Sequence, residues 1–303
     1  MLDLLKSLEG HTEDRVWHLS WSYDGTHIAS CGEDKVVRIW TAEAHKWEEA
    51  KCICTLEEGT QTRTLRSCEW SPNNKKIAVA SFCGIVAIWE AQTQLRTVWD
   101  QIASLEGHEN EVKSITWSPD GRYLASCGRD KKIWVWEDVE RSGFECLCIL
   151  EGHTQDVKFL LWHPQENIFF SASYDDTIKV WIGDEDGEWY CSDTLSGHTS
   201  TVWSLSFNEN TCQLISCSDD MSMICWEPTS KQLSKWTMIC RMLNVHTQPI
   251  YSIDYDIVSN IIASSGGDNA IQLSILNADK KSFESLFKFE RAHDGDVNCV
   301  RLK

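Results

Sequence analysis

The 303-residue sequence has only five prolines, beside sixteen tryptophans and 42% hydrophobic residues. That balance excludes a disordered chain, which cannot carry so much core material. No eighteen apolar residues run together, so no membrane-spanning helix is expected. The opening MLDLLKSLEGH lacks the basic stretch and long apolar run of a secretory signal, and a soluble, intracellular protein is the expectation. Positive charge is short: 28 Lys and Arg face 46 Asp and Glu, for a formal charge of -18. A general nucleic-acid or anionic-membrane binder needs clustered cations, so neither is expected, and only a local basic patch stays open. Fourteen cysteines include no CxxC pair, and reduced thiols are the default for a large chain without a secretory signal. Cys52 with Cys54 and Cys146 with Cys148 form CxC pairs in apolar stretches, where period-two spacing puts both sulfurs on one strand face. Buried hydrophobic cysteine is favoured there over metal or cluster ligation. No glycine loop suited to phosphate is present, and the acidic loop 183–188 lacks the further ligands of a calcium hand.

What the sequence does have is a repeat. Gly10-His11, Gly107-His108, Gly152-His153 and Gly197-His198 mark four openings; Val245-His246 and Ala292-His293 mark two more, and Gly59-Thr60 holds the register of a degenerate one. Successive starts lie 45 to 49 residues apart, the period of a four-stranded blade and not of a helical solenoid. Length alone would favour about two domains, but repeats that pack on their neighbours escape that prior. Within a unit, alternating runs such as 112–117, 123–126, 132–136 and 145–150 are separated by turn residues, Ser118-Pro-Asp-Gly121 among them. Both signals predict β-strands, four to a unit.

This pattern closely resembles WD40 proteins. The expected fold is an all-β propeller of nominally seven blades in one domain over 1–303, with repeats at 10–49, 59–98, 107–146, 152–191, 197–236, 245–284 and 292–303. In that family a buried hydrogen-bonded chain of His, Ser, Asp and Trp links the loop before a blade to its strands. The matching sets are His11, Ser30, Asp34 and Trp40; His108, Ser126, Asp130 and Trp136; His153, Ser171, Asp175 and Trp181; and His198, Ser216, Asp220 and Trp226. Stranding one buried partner costs more than removing the set, so sets tend to be kept or lost together. The second repeat fits this, with Thr60, Val79 and Cys83 replacing three members while Trp89 survives. The sixth keeps His246, Ser264 and Asp268 but has Ser274 for tryptophan. Ser, His and Asp recurring at repeat spacing read as structure and not as a hydrolase, which needs one such set in a cleft. The last repeat stops after an opening and an innermost strand, about thirty residues short of its neighbours, and 1–9 is expected to supply the outer strand. A truncated gene model, an isoform or a fragment accounts for this better than a working half blade; an edge left open would invite aggregation or a partner.

WD40 proteins bind partners through one face, reached here by residues just before each turn aspartate and at the start of each inner strand. Those positions hold Glu33, Phe82, Arg129, Tyr174, Asp219 and Gly267, and Trp17, Arg66, Lys113, Lys158, Trp203, Tyr251 and Asn298, with Arg15 beside them. Aromatics and arginines on a solvent-facing rim are what binding hot spots favour. The alternatives are rings packed on neighbouring loops and solvated charges. Arg15, Arg66, Lys113, Arg129 and Lys158 would make the rim locally basic and suit an acidic or carboxylate-bearing segment.

A narrower resemblance rests on Leu105-Glu-Gly-His-Glu-Asn-Glu-Val-Lys-Ser, Cys127-Gly-Arg-Asp-Lys, Ser173-Tyr-Asp-Asp-Thr-Ile-Lys, Thr64-Leu-Arg-Ser-Cys-Glu-Trp70, Thr199-Ser-Thr-Val-Trp-Ser-Leu205 and Ala292-His-Asp-Gly-Asp-Val-Asn-Cys-Val300. Across nearly the whole chain these words resemble the propeller subunits of the cytosolic iron-sulfur protein assembly (CIA) machinery. The resemblance implies a non-catalytic scaffold without cofactor or metal, in the cytoplasm and also the nucleus. It implies partners in the CIA targeting complex, a small subunit and a HEAT-repeat subunit, and iron-sulfur apoproteins as clients. It also implies importance for the top-face arginine of the third repeat, here Arg129. Val180-Trp-Ile182 differs from the Leu-Tyr-Arg of some members, and recruitment through that tripeptide is not expected. Two other classes stay open: a generic WD40 receptor, such as one choosing substrates for ubiquitin ligation, though no ligase-docking helical segment is found, and a metal-binding protein or enzyme using its cysteines.

Overall fold

The computed structural model describes residues 4–11, 14–42, 46–57, 63–139, 142–184, 187–277 and 281–303; the Gly59-Thr60 opening lies outside them. Among the described residues there are six four-stranded sheets, each with its strands in sequence order. Sheet one holds β1 (Val16–Trp21), β2 (His27–Gly32), β3 (Val37–Thr41) and β4 (Lys51–Leu56); sheet two holds β5 (Leu65–Trp70), β6 (Lys76–Ser81), β7 (Ile85–Ala91) and β8 (Trp99–Glu106). Sheet three holds β9 (Val112–Trp117), β10 (Tyr123–Gly128), β11 (Ile133–Val139) and β12 (Gly143–Leu150); sheet four holds β13 (Val157–Trp162), β14 (Ile168–Ser173), β15 (Thr177–Gly183) and β16 (Trp189–Ser196). Sheet five holds β17 (Val202–Asn208), β18 (Gln213–Ser218), β19 (Met223–Pro228) and β20 (Trp236–Met242); sheet six holds β21 (Ile250–Asp256), β22 (Ile261–Gly266), β23 (Ile271–Asn277) and β24 (Ser282–Phe289). The chain forms two compact units, Met1–Ser126 with Trp136–Cys146, and Cys127–Val135 with Leu147–Lys303.

Each unit has its own apolar core. In the first, Trp70 is fully buried among Ile39, Leu65, Ile77 and Val79, with Trp99 edge-on to it at 5.6 Å between ring centroids. In the second, Phe170, Leu205, Trp226 and Trp236 share one cluster, and Ile215, Met223, Ile253 and Ile262 another. Burial of each such side chain contributes about 1.5 to 3 kcal/mol. Second strands such as β14 and β18 are buried along their whole length, whereas the fourth strands are mostly open, as in β12. That difference corrects the cysteine expectation. The CxC pairs lie on fourth strands, so Cys52 and Cys146 are exposed and Cys54 and Cys148 half-buried, while the buried thiols are Cys31, Cys68, Cys127, Cys217 and Cys225.

A β-bulge recurs where the first strand meets the second. The register steps from Val16 to His18, Leu65 to Ser67, Val157 to Phe159, Val202 to Ser204 and Ile250 to Ser252 against consecutive residues of the partner strand. The residues left over are Trp17, Arg66, Lys158, Trp203 and Tyr251. A bulge takes one residue out of the ladder register and re-aims its side chain, so all five share one bulged setting.

The termini depart from expectation. Residues 4–10 form no strand, and Leu4 and Leu5 are 83% and 68% exposed. Residues 292–303 likewise contain no strand. Backbone N–H groups there meet scattered partners instead of a ladder: Val297 N donates to Gly266 O at 3.1 Å, Val300 N to Ser252 Oγ at 3.1 Å and Leu302 N to Asp254 Oδ2 at 2.7 Å. A fourth strand needs a third strand to pair with, and none is present in 290–303. The count among the described residues is therefore six blades, and no partial seventh sheet is formed.

The turn after β13 holds a buried histidine with a definite protonation state. His163 Nδ1 accepts from the backbone N–H groups of Gln165 and Glu166 at 3.2 and 3.1 Å, and its ring meets Phe207 edge-on at 4.7 Å. Burial lowers its pKa from 6.5 to about 4. The unfolded chain binds the proton first, so this contribution to stability is complete above pH 6.5 and is lost as the pH falls towards 4. Urea unfolding at pH 7.0 and at pH 4.5 should show a loss of about 2 kcal/mol from this group, and His163→Gln should flatten that part of the profile. An unchanged slope in the variant would refute the assignment.

Candidate functional site

In each unit the candidate site is a row of loops, a rim, held up by the His, Ser, Asp and Trp sets. In sheet five the tryptophan N–H is only a donor, so Trp226 Nε1 donates to Ser216 Oγ at 2.9 Å. Ser216 Oγ lies 2.8 Å from His198 Nε2, and His198 Nδ1 lies 3.0 Å from Asp220 Oδ2. An ionised Asp220 can only accept, so Nδ1–H donates to the carboxylate, and in the neutral ring Nε2 accepts from Ser216 O–H. Asp220 also accepts from Thr199 N at 3.0 Å, Ser222 Oγ at 2.6 Å and Arg241 Nη2 at 2.7 Å. Burial works to raise its pKa, but the hydrogen bonds from His198, Ser222 and Thr199 and the charge of the facing His198 outweigh it and hold the carboxyl well below the ordinary range. Sheet four repeats the arrangement, with Trp181 to Ser171 at 2.8 Å, Ser171 to His153 at 2.7 Å and His153 to Asp175 at 2.9 Å. Sheet one does so with Trp40, Ser30, His11 and Asp34 at 2.8, 2.7 and 2.9 Å. In sheet three Ser126 Oγ joins His108 at 2.9 Å and Trp136 at 3.0 Å. Sheet six joins His246 to Ser264 at 2.9 Å and to Asp268 at 2.7 Å. The order Ser, His, Asp is that of a hydrolase, but Ser216 and Ser171 are fully buried, each under an indole N–H. No substrate carbonyl can reach such a hydroxyl.

The sets fix the loop that carries the rim. Each Asp side chain caps a tight turn, as in Ser222 N to Asp220 Oδ1 at 3.0 Å and Thr177 N to Asp175 Oδ1 at 3.2 Å. The next residue is left-handed: Lys35, Lys131, Asp176, Met221 and Asn269 have φ between 61° and 69°. The residue before the Asp position, which is Cys83 in sheet two, bonds back to the start of the inner strand in sheets one, two, four and five. Glu33 N reaches Arg15 O, Phe82 N reaches Thr64 O, Tyr174 N reaches Asp156 O and Asp219 N reaches Thr201 O, all at 2.9 to 3.0 Å. These four loops are thereby pinned beside a bulged residue.

In the first unit, Trp17 lies between two guanidinium groups, Arg15 at 5.7 Å and Arg66 at 5.0 Å from the ring centroid. Lys113 Nζ sits 4.1 Å from the Phe82 centroid and 3.4 Å from Glu111 Oε2. In the second unit, Lys158 Nζ lies 5.2 Å from the centroids of both Tyr174 and Trp203 and 3.1 Å from Asp156 Oδ2. Trp203 Nε1 donates to Asp219 Oδ1 at 3.1 Å, and its ring meets Tyr251 edge-on at 5.6 Å. Tyr174 is 55% exposed, and Arg129 is exposed in the turn after β10. Lys113 and Lys158 each have an acidic neighbour, so the loops around each are less basic than a count of their cations suggests. Asp156, Glu111 and the Asp219 bond to the indole had no signal in the repeat pattern. Arg241 and Lys288, which reach Asp220 and Asp268 from the fourth strands, were equally hidden.

Residues 2–41, 50–90, 99–137, 144–181, 189–227 and 238–273 match the WD40 family, described as "WD domain, G-beta repeat". The crystal structure of RRP9 WD40 repeats has a TM-score of 0.79 at 18% identity, covering 97% of this chain and 85% of that one, a likeness of fold alone. The class is thus an all-β WD40 propeller. A Caenorhabditis elegans protein named "Probable cytosolic iron-sulfur protein assembly protein CIAO1 homolog" is 42% identical over 304 residues, which cover 96% of this chain and 89% of that protein. The Vanderwaltozyma polyspora "Probable cytosolic iron-sulfur protein assembly protein 1" is 36% identical over 325 residues, covering 99% and 92%. A Schizosaccharomyces japonicus "Probable cytosolic Fe-S cluster assembly factor" is 39% identical over 140 residues, 46% of this chain, which spans about a fifth (21%) of that relative's length. The chain belongs to the WD40 family and, within it, to the cytosolic iron-sulfur protein assembly protein 1/CIAO1 family.

Proposed function

We propose that this chain is a non-catalytic adaptor in cytosolic iron-sulfur protein assembly, one that holds partner proteins on its rim while clusters pass to apoproteins. The observation that carries this reading is the near-full-length likeness to proteins named for that assembly. The rim supports it with fixed aromatics and cations, the side chains in which binding energy concentrates. On the family resemblance, the partners are a small subunit and a HEAT-repeat subunit of the targeting complex, and the clients are cytosolic and nuclear apoproteins. The cluster is cargo, and among the described residues no group of three or more His, Cys, Asp or Glu is placed to hold a metal.

Arg129 is the side chain proposed to take a partner carboxylate, with two parallel N–H donors that lysine cannot reproduce. Arg129→Glu should leave the thermal midpoint unchanged and lower iron incorporation into client apoproteins about tenfold or more in cells that depend on the variant. Arg129→Lys should fall between. Wild-type maturation with Arg129→Glu would refute this site, and a purified chain that associates only with ubiquitin-ligase subunits would refute the adaptor role.

A further inference from the structure

Sheet five contains two thiols paired across adjacent strands. Cys225 on β19 and Cys240 on β20 are direct cross-strand partners, flanked two residues away by Met223 opposite Met242. Directly opposed residues of an antiparallel pair have Cα atoms about 4.5 or 5.5 Å apart, and both spacings fall within the disulfide window of about 4.4 to 6.8 Å. Opposed side chains also leave the sheet on the same face. By contrast, Cys52 and Cys54 are successive same-face residues of one strand, about 6.6 Å apart, at the far edge of that window.

The two thiols differ in access and in acidity. Cys225 is fully buried in the cluster of Ile215, Cys217, Met223 and Ile253, whereas Cys240 packs on its edge and is half-buried. The Cys225 thiol, with its hydrogen bond towards the Cys240 sulfur and its burial, is held well above the usual thiol range, and the same bond lowers Cys240. The accessible sulfur is thus the more readily ionised one, and the buried sulfur keeps its proton.

We propose that Cys225 and Cys240 are a redox couple, a dithiol that hydrogen peroxide converts into a disulfide joining β19 to β20. In the first step the Cys240 sulfur attacks one peroxide oxygen; the O–O bond breaks, the departing oxygen takes up a proton as water, and Cys240 becomes a sulfenic acid. In the second step the Cys225 sulfur attacks the Cys240 sulfur. The S–O bond breaks, and the sulfenic hydroxyl leaves as water with the Cys225 proton. Two electrons pass from the sulfurs to the peroxide, and the protein loses two hydrogens. The product staples the outermost strand of sheet five to its neighbour.

The test treats the purified full chain with hydrogen peroxide, blocks remaining thiols with N-ethylmaleimide and maps the cysteines after digestion without reductant. The expected result is a cross-linked peptide pair joining Cys225 to Cys240 at peroxide doses that leave Cys54 fully alkylated, and its disappearance with dithiothreitol. In Cys225→Ala, Cys240 has no resolving thiol and should gain two oxygens as a sulfinic acid. In Cys240→Ser, Cys225 should stay reduced. Full alkylation of both cysteines after peroxide, or a disulfide from either to Cys217 instead, overturns the proposal; the wild-type map decides it even where a variant fails to fold.

Discussion

Replacing His198 by alanine is expected to lower the unfolding free energy by about 3 kcal/mol, because it leaves a buried carboxylate and a buried hydroxyl short of partners. Asp220 would keep Thr199 N, Ser222 and Arg241 but lose the imidazole that covers it, and Ser216 Oγ would lose its near acceptor, keeping only Ile224 O at 3.5 Å while still receiving the Trp226 N–H. Asp220→Ala should cost a similar amount, since it takes the carboxylate from His198 Nδ1, leaving only the longer contact to Ser222 Oγ, and uncaps the turn. The double variant should cost about 1 to 3 kcal/mol less than the two losses together, the sign of groups acting as one unit. Hydrogen exchange should locate the loss in β17 to β20 before it appears elsewhere, because repeat architectures transmit instability mainly to neighbours. Urea denaturation of the four proteins provides the cycle. Full additivity would mean that the set is only a collection of separate contacts.

The same geometry explains which parts of the molecule were legible in the sequence. The Gly-His opening is readable because its glycine is required: a Cβ on Gly197 would lie 2.9 Å from Trp226 Cη2, and one on Gly10 would lie 2.8 Å from Trp40 Cη2. Sheet six breaks the motif at both ends, with Val245 for glycine and Ser274 for tryptophan. These are one change and not two, since without the indole a branched side chain is admitted, and Val245 is buried. Its hydrogen bonds still hold His246 between Ser264 and Asp268, so loss of the tryptophan did not dissolve the set. The expectation that sets are kept or lost whole is too strict there. Strand positions were legible from alternation and turns, but the bulges were not, because a one-residue slip against a partner strand leaves no mark on a single strand's pattern. The family words indicated Arg129, but the sequence alone carried no sign that Asp219 would orient Trp203 or that Asp156 and Glu111 would offset two of the rim's lysines. The terminal strands failed for a plainer reason: period-two patterning reports a face that could be buried, and a strand forms only where a partner edge is at hand.

The contrast between Trp226 and Trp203 leads to the second large effect. Trp226 is buried and ties the set together; Trp203 occupies a bulge, half-exposed, with its N–H fixed by Asp219, its edge against Tyr251 and the Lys158 ammonium over its face. A ring held on three sides loses little freedom when a partner covers it, so more of its contact energy appears as affinity. Trp203→Ala should therefore raise the Kd for a targeting-complex partner about 30-fold, near 2 kcal/mol, while unfolding shifts by about 1 kcal/mol or less. Asp219→Ala should act in the same direction but more weakly, since the ring stays present and loses only its tether. Trp226→Ala should invert the pattern, with stability falling by about 3 to 5 kcal/mol and affinity intact in whatever fraction remains folded. Calorimetric titration of each variant with the purified partner subunits, beside urea unfolding of the same samples, separates the two roles. Unchanged binding of every assembly subunit and client by Trp203→Ala would remove this part of the rim from the docking surface and leave its aromatic ladder as packing between adjacent loops of one unit.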